Sequence, residues 1–396
     1  MPARRAGGGS LAAEPNPPEV AAAGDSLTVM SWPVVRASGG PRERGRSYGT
    51  AARERVHRSI ELYDAIFRHY TGLGWAEVRD RAGAFAEWFD ATDVQLLPEL
   101  EGIAEGAGVD AEDVLALNVR TEVMFGLDTR AARVAAKECT AIGAGSARTA
   151  DGRVLVAQNW DWKPATRDTC VLLAMRPTGR PAFVTLVEAG LLAKVGMNDA
   201  GLAVATNALT SSRDRGAPGV PYHAILRRML TSTSHEEAVA EVTESRRASS
   251  ANYLLGSRPG GIVDLEVGPG GRDTVWSSLG DLVCHANHFQ RPDRPFKDLA
   301  LLDGRESPHR QASAEHTLAG ADIDVAAIEL ALQAHAGPDR AEGSVCSHGD
   351  AAEPPEADYV TIAGIVMDPE GATMHITHGN PCGSPFVPYL LDELLP

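Results

Sequence analysis

Glu138-Cys139-Thr140-Ala141 and, further on, Gly152-Arg153-Val154-Leu155-Val156-Ala157-Gln158-Asn159-Trp160-Asp161-Trp162 form the most informative stretch of the chain. Asp151-Gly152 is a turn signal, and Val154–Ala157 behind it reads as a strand. The texture changes here. From about Arg53 to Gly126 the pattern is helical: Val56, Ile60, Tyr63, Ile66, Phe67 and Tyr70 recur at three- and four-residue steps. Asp110 caps a helix carrying Val114, Leu115, Leu117 and Val119, with Gly106 and Gly108 as breakers before it.

Beyond Ala135 the pattern is that of strands, with candidates at Cys170–Met175, Phe183–Val187, Val195–Met197, Leu202–Thr206, Ile262–Val267, Leu282–His285, Thr361–Met367 and Thr373–Thr377. Asn198-Asp199-Ala200-Gly201 and Pro369-Glu370-Gly371 punctuate them as turns. Helices are expected from Pro221 to about Leu230, from a capping box at Ser234 with Glu237, and over Val325–Ala334. Hairpins interrupted by helices predict an α+β fold of antiparallel sheets covered by helices.

The chain has 396 residues, 43% apolar and 23% charged, which fits a globular protein rather than a disordered one. A net charge of −16 argues against broad nucleic-acid binding and against an electrostatic membrane anchor, while leaving room for a local basic pocket for an anionic substrate. No apolar run reaches about 18 residues, so no membrane span is expected. Residues 1–26 are rich in Gly, Ala and Pro and read as a disordered tail. The Arg4-Arg5 pair is not followed by the apolar stretch of a signal peptide. The five cysteines (Cys139, Cys170, Cys284, Cys346, Cys382) are odd in number and contain no CxxC spacing. A disulfide framework or a zinc site is therefore not expected, and reduced thiols in a cytoplasm fit best.

The motif around Cys139 resembles that of the acyl-coenzyme A:isopenicillin-N (6-aminopenicillanic acid) acyltransferase family of autoproteolytic Ntn hydrolases. Matching stretches continue in order: Glu188-Ala189-Gly190, Lys194-Val195-Gly196-Met197-Asn198, Ala200-Gly201-Leu202-Ala203-Val204, Asn207-Ala208-Leu209, Gly219-Val220-Pro221 and His285-Ala286-Asn287-His288. Upstream, Glu101–Gly106 and Leu115–Thr121 are similar to the family's pro-segment. The resemblance spans roughly residues 31–390. It implies an αββα sandwich of two antiparallel sheets between helical layers. It also implies an inactive precursor that cuts its own chain between Glu138 and Cys139. Residues 27–138 would become a helical small subunit that stays associated, and residues 139–396 the catalytic region.

The resemblance gives the residues roles that chemistry supports. A thiol with a pKa of about 8.5 is only slightly ionised at neutral pH. Cleavage frees an α-amine with a pKa of about 7.7–8.0 beside it, a base able to take the thiol proton and return it to the leaving amine. Cys139 would thus be nucleophile and base together. For a cysteine without such context, a small buried hydrophobe is the ordinary expectation, and Cys170, Cys284, Cys346 and Cys382 are left there. Asp161 belongs by resemblance to the active site, orienting the ammonium or assisting self-cleavage; otherwise it caps a strand end. Asn287 would donate its side-chain amide to the oxyanion; otherwise it holds a turn. Thr140, Asn159 and His288 are candidates for the surrounding layer, and Trp160 and Trp162 for the core or pocket wall. A metal role for His285 and His288 is set aside, because i, i+3 residues on a strand point to opposite faces.

The chain departs from the family's penicillin-forming member in two places. Ala357-Asp358 stands where that member has a Ser-Arg pair, and Glu138 replaces the glycine before the cut, so penicillin substrates are in doubt. The expected partners are a small-molecule acyl donor and an amine acceptor. No resident cofactor is expected, with acyl-CoA as a candidate co-substrate. The rivals are a plain N-acyl amidohydrolase or peptide amidase, a non-catalytic acyl-binding homologue, and a papain-like protease, whose local signature around the cysteine is absent.

Overall fold

The computed structural model describes residues 31–127, 139–291, 293–302, 306–320, 322–336 and 343–396. The tail at 1–26 and the cut-site residue Glu138 lie outside the described residues.

The first element is a strand, β1 (Val34–Gly39), in which buried Val35 and Ala37 alternate with exposed Arg36 and Ser38. Among the described residues, seven α-helices follow before the next strand: α1 (Pro41–Ala51), α2 (Arg53–Thr71), α3 (Trp75–Ala82), α4 (Ala86–Thr92), α5 (Leu96–Ala107), α6 (Ala111–Asn118) and α7 (Arg120–Leu127). On α2 the expected stripe is present: Val56, Tyr63, Ile66 and Phe67 are buried, with Ile60 and Tyr70 packed at its edge. Asp110 sits at the N-cap of α6, where its backbone nitrogen donates to Asp113 Oδ2 at 3.0 Å.

The two glycines expected as breakers differ. Gly108 ends α5 at φ 72°. Gly106 stays helical because α1 crosses there: a Cβ on Gly106 would lie 2.2 Å from Arg46 O, and one on Gly49 would lie 2.1 Å from Ile103 O. Gly106 therefore permits close backbone approach rather than a turn.

The strands are β2 (Cys139–Ala144), β3 (Leu155–Trp162), β4 (Cys170–Pro177), β5 (Phe183–Glu188), β6 (Val195–Asn198), β7 (Leu202–Ala208), β8 (Ala251–Ser257), β9 (Gly261–Val267), β10 (Val275–Leu279), β11 (Leu282–His285), β12 (Val360–Asp368), β13 (Thr373–Ile376) and β14 (Val387–Leu390). They form an eight-stranded sheet, β1-β4-β5-β6-β7-β8-β9-β10, and a six-stranded sheet, β11-β2-β3-β12-β13-β14. Pairing is antiparallel except for β1 with β4, so the first sheet is mixed rather than antiparallel throughout. The long connection between the two strands, which carries α1–α7 and strands β2 and β3 of the other sheet, allows the parallel pair. It also means that the segment before Cys139 is not wholly helical, since it adds an edge strand to the sheet.

The sheets lie face to face. Gly256 on β8 faces Val156 on β3 so closely that a Cβ would approach the valine methyl to 2.3 Å. Outside them lie α8 (Tyr222–Leu230) and α9 (His235–Thr243) on one side and α10 (Glu306–Leu318) and α11 (Val325–Leu332) on the other. This is the expected αββα sandwich. Ser234 caps α9, accepting from Glu237 N at 3.2 Å, although Glu237 reaches back to Thr233 N rather than to Ser234.

One core lies between the sheets and includes Cys139, Ala141, Val156 and Trp160. A second, with Ile142, Leu155, Ala157, Leu318 and Ile328, lies between the six-stranded sheet and α10–α11. No described helix is long and apolar enough to cross a membrane.

Candidate active site

Cys139 is the first residue of β2 and is buried, 3% exposed. Its register partner on β3 is Trp160. Side chains that face each other across an antiparallel pair share a sheet face, so the thiol points between the sheets, towards Gln158 and Trp160. Thr140 and Asn159, one residue along, share the opposite face, and Asp161 follows Asn159 by strand alternation.

Gln158 Nε2 donates to Cys139 Sγ at 3.2 Å. The amide cannot be reversed without loss, because Gln158 Oε1 accepts from the backbone nitrogen of Thr206, on the other sheet, at 2.9 Å. A neutral donor is thereby fixed on the sulfur.

Asn287, just past β11, accepts at Oδ1 from Cys139 N at 2.9 Å and from Arg310 Nη2 at 2.7 Å, and donates from Nδ2 to Ala208 O at 3.0 Å. Arg310, on α10, also donates to Cys139 O and, at 3.1 Å, to Thr140 Oγ1. Behind Asn287, Ser307 Oγ accepts from Asn287 N at 2.7 Å and shares a hydrogen bond with His288 Nδ1, also at 2.7 Å. Burial lowers the His288 pKa to about 4, keeping the ring neutral for that role.

Asp161 is fully buried and lies on the face away from the thiol. Its Oδ1 accepts from Thr361 Oγ1 at 2.6 Å, while Oδ2 has no hydrogen bond among the described residues. Burial pushes its carboxyl up to about 7, against the opposing pull of Arg310 and Thr361. Asn159 is an anchor: its Nδ2 donates to Leu332 O and Val345 O, each at 2.8 Å.

Cys139, Asn287 and Thr140 thus converge directly, with Arg310 as the hub. His288 joins through Ser307, and Asp161 stands on the far face near the Arg310 charge. Sequence reasoning missed Gln158 and Arg310. Gln158 was legible within the motif it shares with Asn159 and Asp161. Arg310 was not, because the buried face of α10 is Ser307, Arg310, Ala314 and Leu318, which shows no apolar stripe.

The expectation that His285 and His288 point apart is corrected. Strand β11 ends at His285, alternation stops there, and the two rings stack with centroids 6.4 Å apart. Each ring is already engaged: His285 Nε2 on Glu266 Oε1 at 2.9 Å and His288 on Ser307.

A cleft opens beside the thiol. Tyr63, Arg120, Thr121, Met124 and Phe125, all from before Cys139, line it together with Trp162, Lys194, Ala208 and Tyr222. Its charged wall is built around Glu188, which accepts from Tyr63 OH at 2.7 Å and from Arg120 Nη2 at 2.9 Å, with Lys194 Nζ at 3.9 Å. Burial opposes ionisation of Glu188, but Arg120, Lys194 and Tyr63 outweigh it and hold the carboxyl down at about 2. Ala357-Asp358 sits in the loop before β12, where Asp358 Oδ1 accepts from Asp350 N and Tyr359 N.

The chain is similar to the 40 kDa form of the acyl-coenzyme A:6-aminopenicillanic-acid-acyltransferase of Emericella nidulans. The two are 29% identical over 290 residues, 73% of this chain and 78% of the relative. Among solved structures, the Caenorhabditis elegans ortholog of N-acylethanolamine-hydrolyzing acid amidase aligns at 15% identity with a TM-score of 0.42, covering 58% of this chain and 93% of its own. A mutant of the conjugated bile acid hydrolase from Clostridium perfringens aligns at 13% identity with a TM-score of 0.40, covering 63% of this chain and 96% of its own. The sequence profile of the acyl-coenzyme A:6-aminopenicillanic acid acyl-transferase family matches residues 147–382, and the chain belongs to that family.

Proposed function

We propose that the chain is a self-processing cysteine enzyme that cuts itself between Glu138 and Cys139 and then carries acyl groups as a thioester on Cys139. The observation that carries this is the bond from Cys139 N to Asn287 Oδ1, with the Cys139 thiol held by Gln158 at the wall of a cleft. The nitrogen that would become the catalytic amine is gripped by a neutral acceptor, so its lone pair can take the thiol proton. An amide nitrogen bears two hydrogens. Asn287 Nδ2 uses one on Ala208 O, and the other is suited to the oxyanion of the tetrahedral intermediate. Asp161, on the opposite face of the strand pair, would act on self-cleavage through the charge of Arg310, which contacts Cys139 and Asn287, rather than by touching the thiol.

Arg120 and Lys194, which share Glu188, give the cleft a polar wall suited to the polar end of an acyl donor or acceptor. Residues 27–138 act as the associated small subunit, since helices α2 and α7 supply half of the cleft lining. The thioester passes to an amine or to water, with transfer and hydrolysis both within its competence.

A denaturing mass spectrum of the purified protein tests the first step. Fragments of 138 and 258 residues are expected, the larger beginning Cys-Thr-Ala-Ile, while Cys139→Ala stays at 396 residues. Full-length wild-type protein with amidase or transferase activity would overturn it. Incubation with an acyl thioester tests the second step. An adduct on Cys139 that millimolar amine diverts to amide, against water at about 55 M, identifies a transferase. An adduct that amines never intercept identifies a hydrolase, and no adduct on processed protein overturns the acyl-enzyme step; a non-catalytic homologue would neither cleave itself nor form an adduct.

A further inference from the structure

The cysteine spacing argues against a zinc site, yet the fold gathers one set of side chains suited to it. His335 follows α11, Cys346 and His348 lie in the segment leading to β12, and Cys382 lies in the loop after β13. One ligand atom from each lies within 4.8 Å of all the others. His348 Nε2 is 3.1 Å from His335 Nε2, 3.5 Å from Cys346 Sγ and 3.3 Å from Cys382 Sγ.

A single ring nitrogen carries one hydrogen or one lone pair. One hydrogen bond can account for one of those three contacts but not for all three. A shared cation accounts for them together. With Zn–N of about 2.05 Å and Zn–S of about 2.3 Å, a tetrahedral ion sets ligand separations of about 3.3 Å for N···N and about 3.5 Å for N···S. The three distances from His348 Nε2 lie within about 0.3 Å of these values, and the remaining pairs, all within 4.8 Å, need only a small contraction around the ion. We propose that His335, Cys346, His348 and Cys382 form a structural Cys₂His₂ site for a divalent, thiolate-preferring metal of the zinc class.

The surroundings fit a bound thiolate. Asn380 Nδ2 lies 3.5 Å from Cys346 Sγ, and Arg167 Nη2 holds Asn380 Oδ1 at 3.1 Å, the supporting layer that orients metal ligands. A coordinated cation would displace the protons of both thiols as it binds.

The site also has a place in the architecture. Cys346 N donates to Ala334 O at 3.0 Å, and Ser347 N, one residue on, donates to Thr361 Oγ1 at 2.8 Å. That same hydroxyl donates to Asp161 Oδ1. The metal would clamp the α11–β12 connection and the β13–β14 loop against the strand pair that presents Asp161.

The test uses the full chain after reduction, chelation and reconstitution with Co²⁺. One equivalent of Co²⁺ per chain is expected, with the near-ultraviolet thiolate-to-cobalt band and visible bands of a tetrahedral site, displaced by Zn²⁺. Cys346→Ser together with Cys382→Ser should abolish the charge-transfer band, and His335→Ala should weaken binding at least tenfold while leaving it. Reduced wild-type protein that binds no Co²⁺ with a thiolate band overturns the proposal, whatever the variants do. So does a Cys346–Cys382 disulfide in the native protein, seen as a 2 Da mass deficit, combined with no recovery of metal binding on reduction. A band that survives loss of both cysteines places the metal elsewhere and overturns it as well.

Discussion

The backbone nitrogen of Cys139 donates to Asn287 Oδ1 at 2.9 Å across 148 residues of sequence, and Arg310 Nη2 meets the same oxygen at 2.7 Å. One neutral oxygen therefore receives both the strand-end nitrogen and a buried guanidinium. Replacing Asn287 separates its two possible contributions. Asn287→Ala should lower kcat by about 10²–10³ and slow the appearance of the two fragments. Asn287→Asp keeps the acceptor but loses the Nδ2 donor. It should process at close to the wild-type rate yet lose turnover to a similar extent. Turnover undiminished in both variants would leave Asn287 as a structural residue only.

Gln158 sets the environment of the sulfur through a donor that Thr206 N keeps pointing inward. A hydrogen bond to a charged group is worth roughly 1.5–3 kcal/mol, and about 1.36 kcal/mol corresponds to one pH unit. Gln158→Met should therefore move the pH midpoint of Cys139 alkylation by iodoacetamide upward by about one pH unit or more. An unchanged midpoint, with the variant folded by circular dichroism, would rule out a direct influence on the thiol.

Asp161 carries a pH signature. Its carboxyl is raised to about 7 in the folded chain, against about 3.9 when unfolded. The native state thus holds a proton that the unfolded state has released. Its contribution is fully present below about pH 4 and is lost as pH rises through 7. Asp161→Asn lacks this titration. Between about pH 4.5 and 8 its stability relative to wild type should improve, on the order of a few kcal/mol, in urea unfolding. A difference that does not vary with pH would contradict the raised carboxyl.

Gly106 distinguishes close packing from chain breaking. An exposed helical Gly→Ala exchange usually stabilises by about 1 kcal/mol. Here the new methyl would meet Arg46 O at 2.2 Å, so Gly106→Ala should destabilise by roughly 1–3 kcal/mol. A raised thermal midpoint would show that α1 and α5 can separate without cost.

Local pattern alone determined a good deal of this protein. The spacing of Val56, Tyr63, Ile66 and Phe67 specified α2, because a helix must bury one stripe. The turns at Asp151-Gly152 and Asn198–Gly201 marked their hairpins, with Gly152 at φ 77° and Gly201 at φ 80°. The ordered motifs from Cys139 to Asn287 pointed to the family and to Cys139 itself. Strand β2 escaped notice because Cys-Thr-Ala-Ile-Gly-Ala is buried on both faces and has no alternation to read. The rest depended on tertiary structure. That Asp161 faces away from the Cys139 thiol follows from the register that pairs Cys139 with Trp160, and register is a relation between strands. Arg310 reaches Cys139 across 171 residues from a helix without an apolar stripe. The four ligand atoms of the proposed metal site meet only because antiparallel pairing brings the start of β12 and the end of β13 to the same end of the six-stranded sheet. A side chain's chemistry is encoded locally, whereas the distances that let it act are set by the packing of segments far apart in the chain.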